Sequence, residues 1–222
     1  MRRDTAVHGA PIGLLGGTFD PVHHGHLRPA IELQERLGLA EMRLVPGHVP
    51  PHRRPPRADS EQRLRLLQYA VVGAPGLVVD ARELRRGGYS YTVATLYELR
   101  AELGSRPLCF VLGSDAFLGL ASWYRWRDLE TLAHLVVMRR PGHALRLGDE
   151  LAEWTAARQV LDPAALRGCS SGLILFQETT PLDISASRIR RLIAQGRSAR
   201  YLVPDLVWGC IAKEGLYGYP QI

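Results

Sequence analysis

The chain has 222 residues, 46% of them hydrophobic, which is enough for one fairly large globular domain with a substantial core. The formal net charge is +6, but acidic residues are interleaved with basic ones and no basic tail or aromatic-laced stripe occurs, so nucleic acid is not expected as a main partner. The three cysteines form no Cys-x-x-Cys pair, and the apolar runs are far shorter than the roughly 20 residues that span a bilayer. We expect a cytoplasmic protein with no disulfide framework and no membrane partner.

The first apolar run of the chain, residues 12–15, leads into a segment rich in glycine and histidine. Gly16 and Gly17 let the backbone turn sharply and approach a ligand closely. His23 and His26 stand three residues apart where a helical pattern starts, so both imidazoles can face one way, and the free N–H groups there favour anions. The segment predicts a phosphate site. A metal site and a glycine-rich turn with incidental histidines are the alternatives, although no third ligand stands at zinc-like spacing.

Strand-length apolar runs alternate with segments of helical period along the rest of the chain. The runs lie at residues 12–15, 42–45, 77–79, 108–112, 135–138 and 173–176, and helices are predicted at residues 26–37, 60–72 and 92–103. Runs without polar alternation are typical of strands buried on both faces of a parallel sheet. The sequence predicts an α/β fold with a Rossmann-like, doubly wound parallel sheet in a single domain, residues 11–222, preceded by a tail of residues 1–10.

Polar groups follow each predicted strand, at the carboxyl edge where open parallel sheets bind ligands. A proline- and arginine-rich loop, residues 46–57, follows the second run, and residues 89–92, 113–115, 139–142 and 179–190 follow the later ones. We expect most functional side chains at this edge. His26 is expected to be an exposed loop imidazole with little packing to lose.

A second phosphate signal lies at residues 183–193. Ser185 or Ser187 can cap a helix there, and Arg190 lies one turn beyond Ser187, so that hydroxyl, backbone N–H and guanidinium groups converge. A basic amphipathic surface helix, with Arg188 and Arg191 facing solvent, is the alternative explanation of the same residues.

Together the two segments carry a family resemblance. Gly-Gly-Thr-Phe-Asp-Pro-x-His-x-Gly-His at residues 16–26 and Ile-Ser-x-Ser-x-x-Arg at residues 184–190 closely resemble the nucleotidyltransferase superfamily, with Ser187 where threonine is usual. Within the superfamily, residues 12–217 are similar to bacterial nicotinate mononucleotide adenylyltransferases. The supporting segments are residues 49–53, 89–93, 112–115, 123–124, 139–142, 202–204 and 214–217.

The resemblance implies transfer of the adenylyl group of ATP to nicotinate mononucleotide, giving deamido-NAD and pyrophosphate in NAD biosynthesis. Because the attacking phosphate is already anionic, positioning and charge stabilisation suffice and no strong general base is needed. Mg²⁺ would arrive with the triphosphate, without a dedicated protein cage. The implied catalytic residues are His23, His26, Ser187 and Arg190. The implied ATP-binding residues are Gly16, Gly17, Thr18, Phe19, Gly25, His52, Arg53, Gly113, Asp115 and Ser185, and those for the mononucleotide are Tyr91, Thr92, Trp123, Tyr124 and Arg139.

Three rival interpretations share these residues. Phosphopantetheine adenylyltransferases resemble both ends, but they are shorter and usually carry threonine where His23 stands. A nicotinamide mononucleotide adenylyltransferase is closer, and a non-catalytic nucleotide-binding regulator is a different class, although the four implied catalytic residues are all intact.

Trp123 either packs against the pyridine ring or belongs to a core cluster with Tyr124 and Trp126. The sequence is compatible with a homo-oligomer.

Overall fold

The computed structural model describes residues 9–49, 55–139 and 145–220 of the chain. Its strands within these ranges are β1 (Ile12–Gly17), β2 (Glu41–Pro46), β3 (Leu77–Val79), β4 (Leu108–Gly113), β5 (His134–Arg139), β6 (Gln159–Val160) and β7 (Ile174–Glu178). Its helices there are α1 (His24–Leu37), α2 (Ser60–Ala70), α3 (Arg82–Arg86), α4 (Thr92–Leu103), α5 (Ser114–Leu118), α6 (Leu129–Leu132), α7 (Asp149–Ala156), α8 (Ala186–Ala194) and α9 (Asp205–Glu214). Short 3₁₀ helices cover Leu120–Ser122, Trp126–Asp128, Pro163–Arg167 and Leu216–Gly218.

One sheet contains the seven strands in the order β3-β2-β1-β4-β5-β7-β6. The pairs β1/β4, β4/β5, β5/β7 and β6/β7 are all parallel, and Leu14, Phe110, Leu135 and Ile174 lie in register across four neighbouring strands. The strand order reverses direction at β1, as in other Rossmann-like sheets. The predicted α/β class with a parallel sheet flanked by helices is therefore confirmed.

The six runs predicted as strands are all strands. β6 is a seventh that the sequence analysis missed, because two residues are too few to show a periodicity. Helix α4 has the predicted bounds, whereas α1 begins two residues earlier than predicted and α2 ends two residues sooner. Residues 1–8 of the predicted tail lie outside the described residues.

The described chain forms two compact units. Unit 1 contains residues 9–15, 32–43, 91–139 and 145–179, and unit 2 contains residues 16–31, 44–49, 55–90 and 180–220. None of the helices in the described ranges combines the length and the apolar character that crossing a bilayer requires.

The core of unit 1 is built on β4 and β5, whose side chains are buried along almost the whole of each strand. Phe117 of α5 and Phe176 of β7 pack edge to face at 5.5 Å, and α4 packs against α6. The guanidinium of Arg100 donates to the carbonyl oxygens of Leu132, Gly104, Arg106 and Ser170, so it satisfies four backbone acceptors at once.

The core of unit 2 lies where α2 packs against α9, with Leu66 and Ile211 fully buried. Helix α2 starts at a capping box. The Asp59 carboxylate accepts from the backbone N–H of Gln62 at 2.8 Å, and the Gln62 side chain accepts from the backbone N–H of Asp59 at 3.0 Å. The cap fixes the start of α2 directly after Ala58, a residue that contacts Asp20 in the candidate active site.

Candidate active site

The three glycines of the first motif differ in how much space a side chain would have: Gly17 and Gly25 have close neighbours, and Gly16 has none. A Cβ at Gly17 would lie 2.9 Å from the ring of Phe19, and a Cβ at Gly25 would lie 3.0 Å from Nδ1 of His23. A side chain at Gly17 would therefore displace the Phe19 ring, and one at Gly25 would require the His23 ring to shift by a few tenths of an ångström. A Cβ at Gly16 would meet nothing within 4 Å, so the structure gives no steric reason for that glycine.

Phe19 explains the shape of the turn that carries the motif. Its ring is 1% exposed although its backbone has a φ of 49°, a left-handed conformation that few non-glycine residues adopt. The ring also packs edge-on against the imidazole of His26, with centroids 5.0 Å apart. The prediction that His26 is an exposed imidazole is wrong. Its side chain is partly buried beneath this turn, and His23 is only 5% exposed.

The imidazoles of His23 and His26, the histidine pair, face one way as their spacing predicts. The rings are stacked with centroids 3.7 Å apart and an interplanar angle of 27°. The backbone N–H of His23 donates to Nδ1 of His26 at 3.3 Å. Because Nδ1 acts as the acceptor, neutral His26 carries its proton on Nε2, which is then the ring's hydrogen-bond donor.

Both members of the histidine pair are neutral near pH 7. Burial lowers the pKa of His23 to about 4, with a smaller electrostatic contribution from neighbouring His24. Burial lowers the pKa of His26 to about 3, with a smaller contribution from His23. Nδ1 of His23 is buried and has no hydrogen-bond partner among the described residues. The pair thus offers directional N–H groups, and positive charge must come from elsewhere in the site.

Arg63 holds the motif turn from inside unit 2. It is 1% exposed, and its guanidinium donates to the carbonyl oxygens of Thr18 at 2.8 Å and Gly47 at 2.7 Å. These bonds satisfy backbone acceptors that the sheet leaves unpaired at the end of β1 and of β2. No role for Arg63 could be predicted from the sequence, because an arginine in a helix of mixed character carries no local signal of burial.

Asp20 connects the first motif to the second. Its carboxylate, 4% exposed, accepts from the backbone N–H of Arg57 at 2.8 Å and of Ala58 at 3.1 Å, and it lies 3.5 Å from the guanidinium of Arg190. Arg190 also donates to the carbonyl oxygen of Asp20 at 2.5 Å. Asp20 stands within the first sequence motif, but no role for it follows from the sequence alone.

The second motif begins α8 as predicted. Ser185 is the N-cap, and its hydroxyl accepts from the backbone N–H of Arg188 at 3.3 Å. Arg190 donates to the hydroxyl of Ser187 at 3.3 Å, so these two predicted catalytic residues contact each other directly. The side chain of Arg188 is exposed and lies 3.9 Å from Asp183. Unit 2 therefore holds the histidine pair, the glycine turn, Ser187 and Arg190.

The residues predicted to bind the mononucleotide belong to unit 1. The rings of Tyr91 and Tyr124 are 4.9 Å apart, and partly buried Trp123 packs edge-on against Phe110 at 6.2 Å. Trp126 packs instead against Trp154 at 5.1 Å. The rings of Trp123, Tyr124 and Trp126 therefore pack against three different aromatic partners, and the assignment of Trp123 to the mononucleotide stays a prediction.

Three further predicted residues of unit 1 lie at a strand end or just after one. Gly113 ends β4, and Asp115 is exposed in the first turn of α5. Arg139 ends β5, where its guanidinium donates to Glu178 at 3.2 Å. His52 and Arg53, predicted to bind ATP, lie outside the described residues.

The start of α4 offers backbone donors beside these aromatic rings. Tyr91 is the N-cap of α4, and its own side chain forms no capping hydrogen bond. Free N–H groups at a helix start bind a carboxylate or a phosphate readily. Thr92, the first residue of α4, is one of the residues predicted for the mononucleotide.

Comparison with known proteins gives the family. A family model described as cytidylyltransferase-like matches residues 14–192. A Halorhodospira halophila protein named "Probable nicotinate-nucleotide adenylyltransferase" is 55% identical over 211 residues, which cover 95% of this chain and 97% of that protein. The chain belongs to the nicotinate-nucleotide adenylyltransferase family. A Methylococcus capsulatus protein of the same name is 50% identical over 207 residues, covering 93% of this chain and 99% of that protein.

The fold of this adenylyltransferase family member is shared with a distant solved structure. Plasmodium falciparum nicotinic acid mononucleotide adenylyltransferase, complexed with NaAD, aligns with a TM-score of 0.71 and 14% identity. The alignment covers 96% of this chain and 100% of that one. The predicted membership of this family, and with it the enzyme class of nucleotidyltransferase, is confirmed.

Proposed function

We propose that the chain transfers the adenylyl group of ATP to nicotinate mononucleotide, releasing pyrophosphate and forming deamido-NAD for NAD biosynthesis. The name shared by relatives at 50–55% identity over nearly the full length supports this reaction. The observation that carries it in the structure is the histidine pair, because its neutral, stacked and largely buried rings lie at a helix start and suit an anionic ligand.

The reaction depends more on positioning the mononucleotide phosphate against the α-phosphorus of ATP than on proton transfer. An oxygen of the mononucleotide phosphate forms a bond to the α-phosphorus of ATP, and the bond from that phosphorus to the bridging β-oxygen breaks. The electron pair leaves with pyrophosphate, so no proton has to be removed from the nucleophile. A neutral histidine pair suits this role, since it donates hydrogen bonds to phosphate oxygens without needing to act as a base.

Within this reaction we assign Nε2–H of His26 to the oxygens around the reacting phosphorus and His23 to the neighbouring phosphates. Gly17 and Gly25 keep the backbone close enough for these contacts. Ser187 and Arg190 hold the departing pyrophosphate end, where a guanidinium can bind two oxygens at once. His52 and Arg53 are proposed to contact the phosphates as well.

The aromatic residues of unit 1 are proposed to bind the acceptor, nicotinate mononucleotide. We assign the pyridine ring to Trp123 and the nicotinate carboxylate to backbone N–H groups near Tyr91, Thr92 and Tyr124. The start of α4 supports this, because helix starts present backbone N–H donors and the Tyr91 side chain does not cap them. A carboxylate forms charge-assisted bonds there, whereas an amide would bring its own NH₂ donor towards the same N–H groups. Asp115 and Arg139 are assigned to ribose and phosphate groups.

Mg²⁺ in this proposal travels with ATP and neutralises charge on the triphosphate oxygens. Among the described residues, no three His, Cys, Asp or Glu side chains stand close enough together to hold a metal ion. The partners proposed are thus ATP with its magnesium ion and nicotinate mononucleotide, and nucleic acid is not among them. The three cysteines are unpaired thiols, which fits the cytoplasm that we propose as the location.

The reaction is tested by release of pyrophosphate from ATP in the presence and absence of nicotinate mononucleotide. We expect release only with the mononucleotide, together with an equal amount of deamido-NAD identified by mass. Mononucleotide-dependent release that yields no dinucleotide contradicts the proposal. Binding of ATP without any release under these conditions indicates the regulator.

A further inference from the structure

Arg63 of α2 is a cation buried inside unit 2, where it is only 1% exposed. Burial lowers the pKa of Arg63, which the charge of Asp20 partly offsets, and the guanidinium stays protonated at neutral pH. Its nitrogens bind carbonyl oxygens of the backbone at three positions. A buried charge costs free energy that an apolar side chain of similar volume does not. Filling the core therefore does not account for an arginine at this position.

One nitrogen of the Arg63 guanidinium joins two loops. Nη1 donates to the carbonyl oxygen of Thr18 at 2.8 Å and to that of Gly47 at 2.7 Å. The backbone N–H of Gly47 in turn donates to the carbonyl oxygen of Gly17 at 2.9 Å. The turn after β1 and the segment after β2 are thus tied together at three carbonyl oxygens, and Arg63 supplies two of the three bonds.

The contact with Thr18 fixes the backbone that enters Phe19. A peptide unit is planar, so holding the carbonyl oxygen of Thr18 also holds the plane that joins it to Phe19. Phe19 has a φ of 49°, a conformation that bulky residues rarely adopt and that persists where surrounding contacts enforce it. Arg63 is one such contact, and the burial of the Phe19 ring is another.

The Phe19 ring carries this constraint to His26. The two rings pack edge-on with centroids 5.0 Å apart. At Nδ1 the His26 ring accepts the backbone N–H of His23, so a packing contact and a hydrogen bond together set its orientation. The packing contact depends on the turn that Arg63 holds.

We propose that Arg63 is a positioning residue for adenylyl transfer, acting through Thr18 and Phe19 to hold the His26 ring with its Nε2–H directed at bound phosphate. Arg63 is too deeply buried to contact a substrate, so its effect is indirect. The effect on the reaction rests on the proposed function, whereas the effect on the His26 ring does not.

The test is R63K, which keeps the charge but has a shorter stem and lacks the planar fork of nitrogens. Two quantities are measured: kcat for each folded molecule, corrected by urea unfolding, and the ¹⁵N NMR signals of the His26 ring at pH 7.5, assigned by their absence in H26A. We expect one tautomer, protonated on Nε2, in the parent and a mixture of tautomers in R63K. Because a small misplacement of a catalytic group is costly, kcat should fall roughly tenfold to a hundredfold. R63Q, which keeps a donor without the charge, is measured alongside and should show both changes.

R100K is the matched control. Arg100 also donates to several backbone carbonyl oxygens, but it lies in unit 1 and takes no part in the turn that carries Thr18 and Phe19. The same substitution should therefore lower stability while leaving kcat and the His26 signals at their parental values. A role for Arg63 in stability alone predicts that R63K and R100K behave alike.

Parental kcat and parental His26 signals in folded R63K or R63Q overturn the proposal. So does either change without the other, or an equal loss of kcat in R100K. The NMR measurement needs no turnover, so it remains informative if the parent does not transfer an adenylyl group. A changed His26 tautomer would then support the positioning contact although the proposed reaction had failed, which keeps the two failures distinguishable.

Discussion

His23 and His26 are stacked at 3.7 Å between ring centroids, and the backbone of the first donates to the ring of the second. This one contact fixes the orientation of the His26 ring and leaves its Nε2–H as the donor. Because two imidazolium rings so close together would repel each other, the arrangement also favours neutral rings. Orientation and neutrality are the properties that a preorganised phosphate donor needs.

H26A should lower kcat by roughly 10²–10³, because it removes one donor to charge that develops at the reacting phosphate. Steady-state turnover with saturating ATP and nicotinate mononucleotide measures the effect. H24A is the matched control. His24 lies between the two histidines in the same first turn and has no role in the proposed chemistry, so it should keep near-normal turnover. Normal turnover in H26A would refute its role.

The histidine pair should make the protein less stable in acid. The folded pKa values of about 4 and about 3 lie below the usual 6.5, so the unfolded chain binds more protons as pH falls from 6.5 towards 4. Stability is therefore fully present above pH 6.5 and is lost below it. His23 alone should cost about 2 kcal/mol at pH 4.5.

Urea unfolding at pH 7.5 and 4.5 measures this loss. In H23N, the loss between the two pH values should shrink by about 2 kcal/mol relative to the parent. Burial also lowers the pKa of His134, but that residue is present in both proteins and its contribution cancels. An identical loss in parent and H23N would show that His23 is not held neutral by the fold.

R190K should raise the KM for ATP more than the KM for the mononucleotide. Lysine keeps the charge but cannot donate to Ser187, to Asp20 and to phosphate oxygens from one planar group. R188K is the control, since Arg188 is exposed and pairs only loosely with Asp183 at 3.9 Å. If R188K proves the more damaging substitution, the face of α8 assigned to phosphate is the wrong one.

W123A should raise the KM for nicotinate mononucleotide at least tenfold and leave the KM for ATP nearly unchanged, because a stacked ring contributes about 1–3 kcal/mol. W126A provides the contrast. Trp126 is buried against Trp154, so its loss should cost about 3–5 kcal/mol of stability without a selective effect on the mononucleotide. Equal KM changes for both substrates in W123A would remove Trp123 from the acceptor site.

Local patterns in the sequence were sufficient for much of the fold and for the phosphate motifs. The apolar runs gave six of the strands, and the bounds of α4 follow from its period and from Gly104, which has a φ of 57°. The common orientation of His23 and His26 follows from their spacing, and the cap at Ser185 from its place before the apolar face of α8.

The supporting contacts could not be predicted in this way, because they join segments far apart in the chain. Arg63 reaches Thr18 across 45 positions and Arg190 reaches Asp20 across 170, and neither arginine has a local pattern that indicates burial. The burial of His26 was mispredicted for the same reason. It depends on Phe19 folding inward in a left-handed conformation that no propensity favours for phenylalanine.

The central claim concerns the acceptor, and the most direct measurement compares kcat/KM for nicotinate and nicotinamide mononucleotide at saturating ATP. An amide at a site built for a carboxylate leaves buried donors unpaired, at about 1–3 kcal/mol per group. We predict a preference for the acid of between about tenfold and over a hundredfold, with deamido-NAD as the product. Equal values for the two mononucleotides would contradict the claim of acid specificity, and a preference for the amide would reverse it.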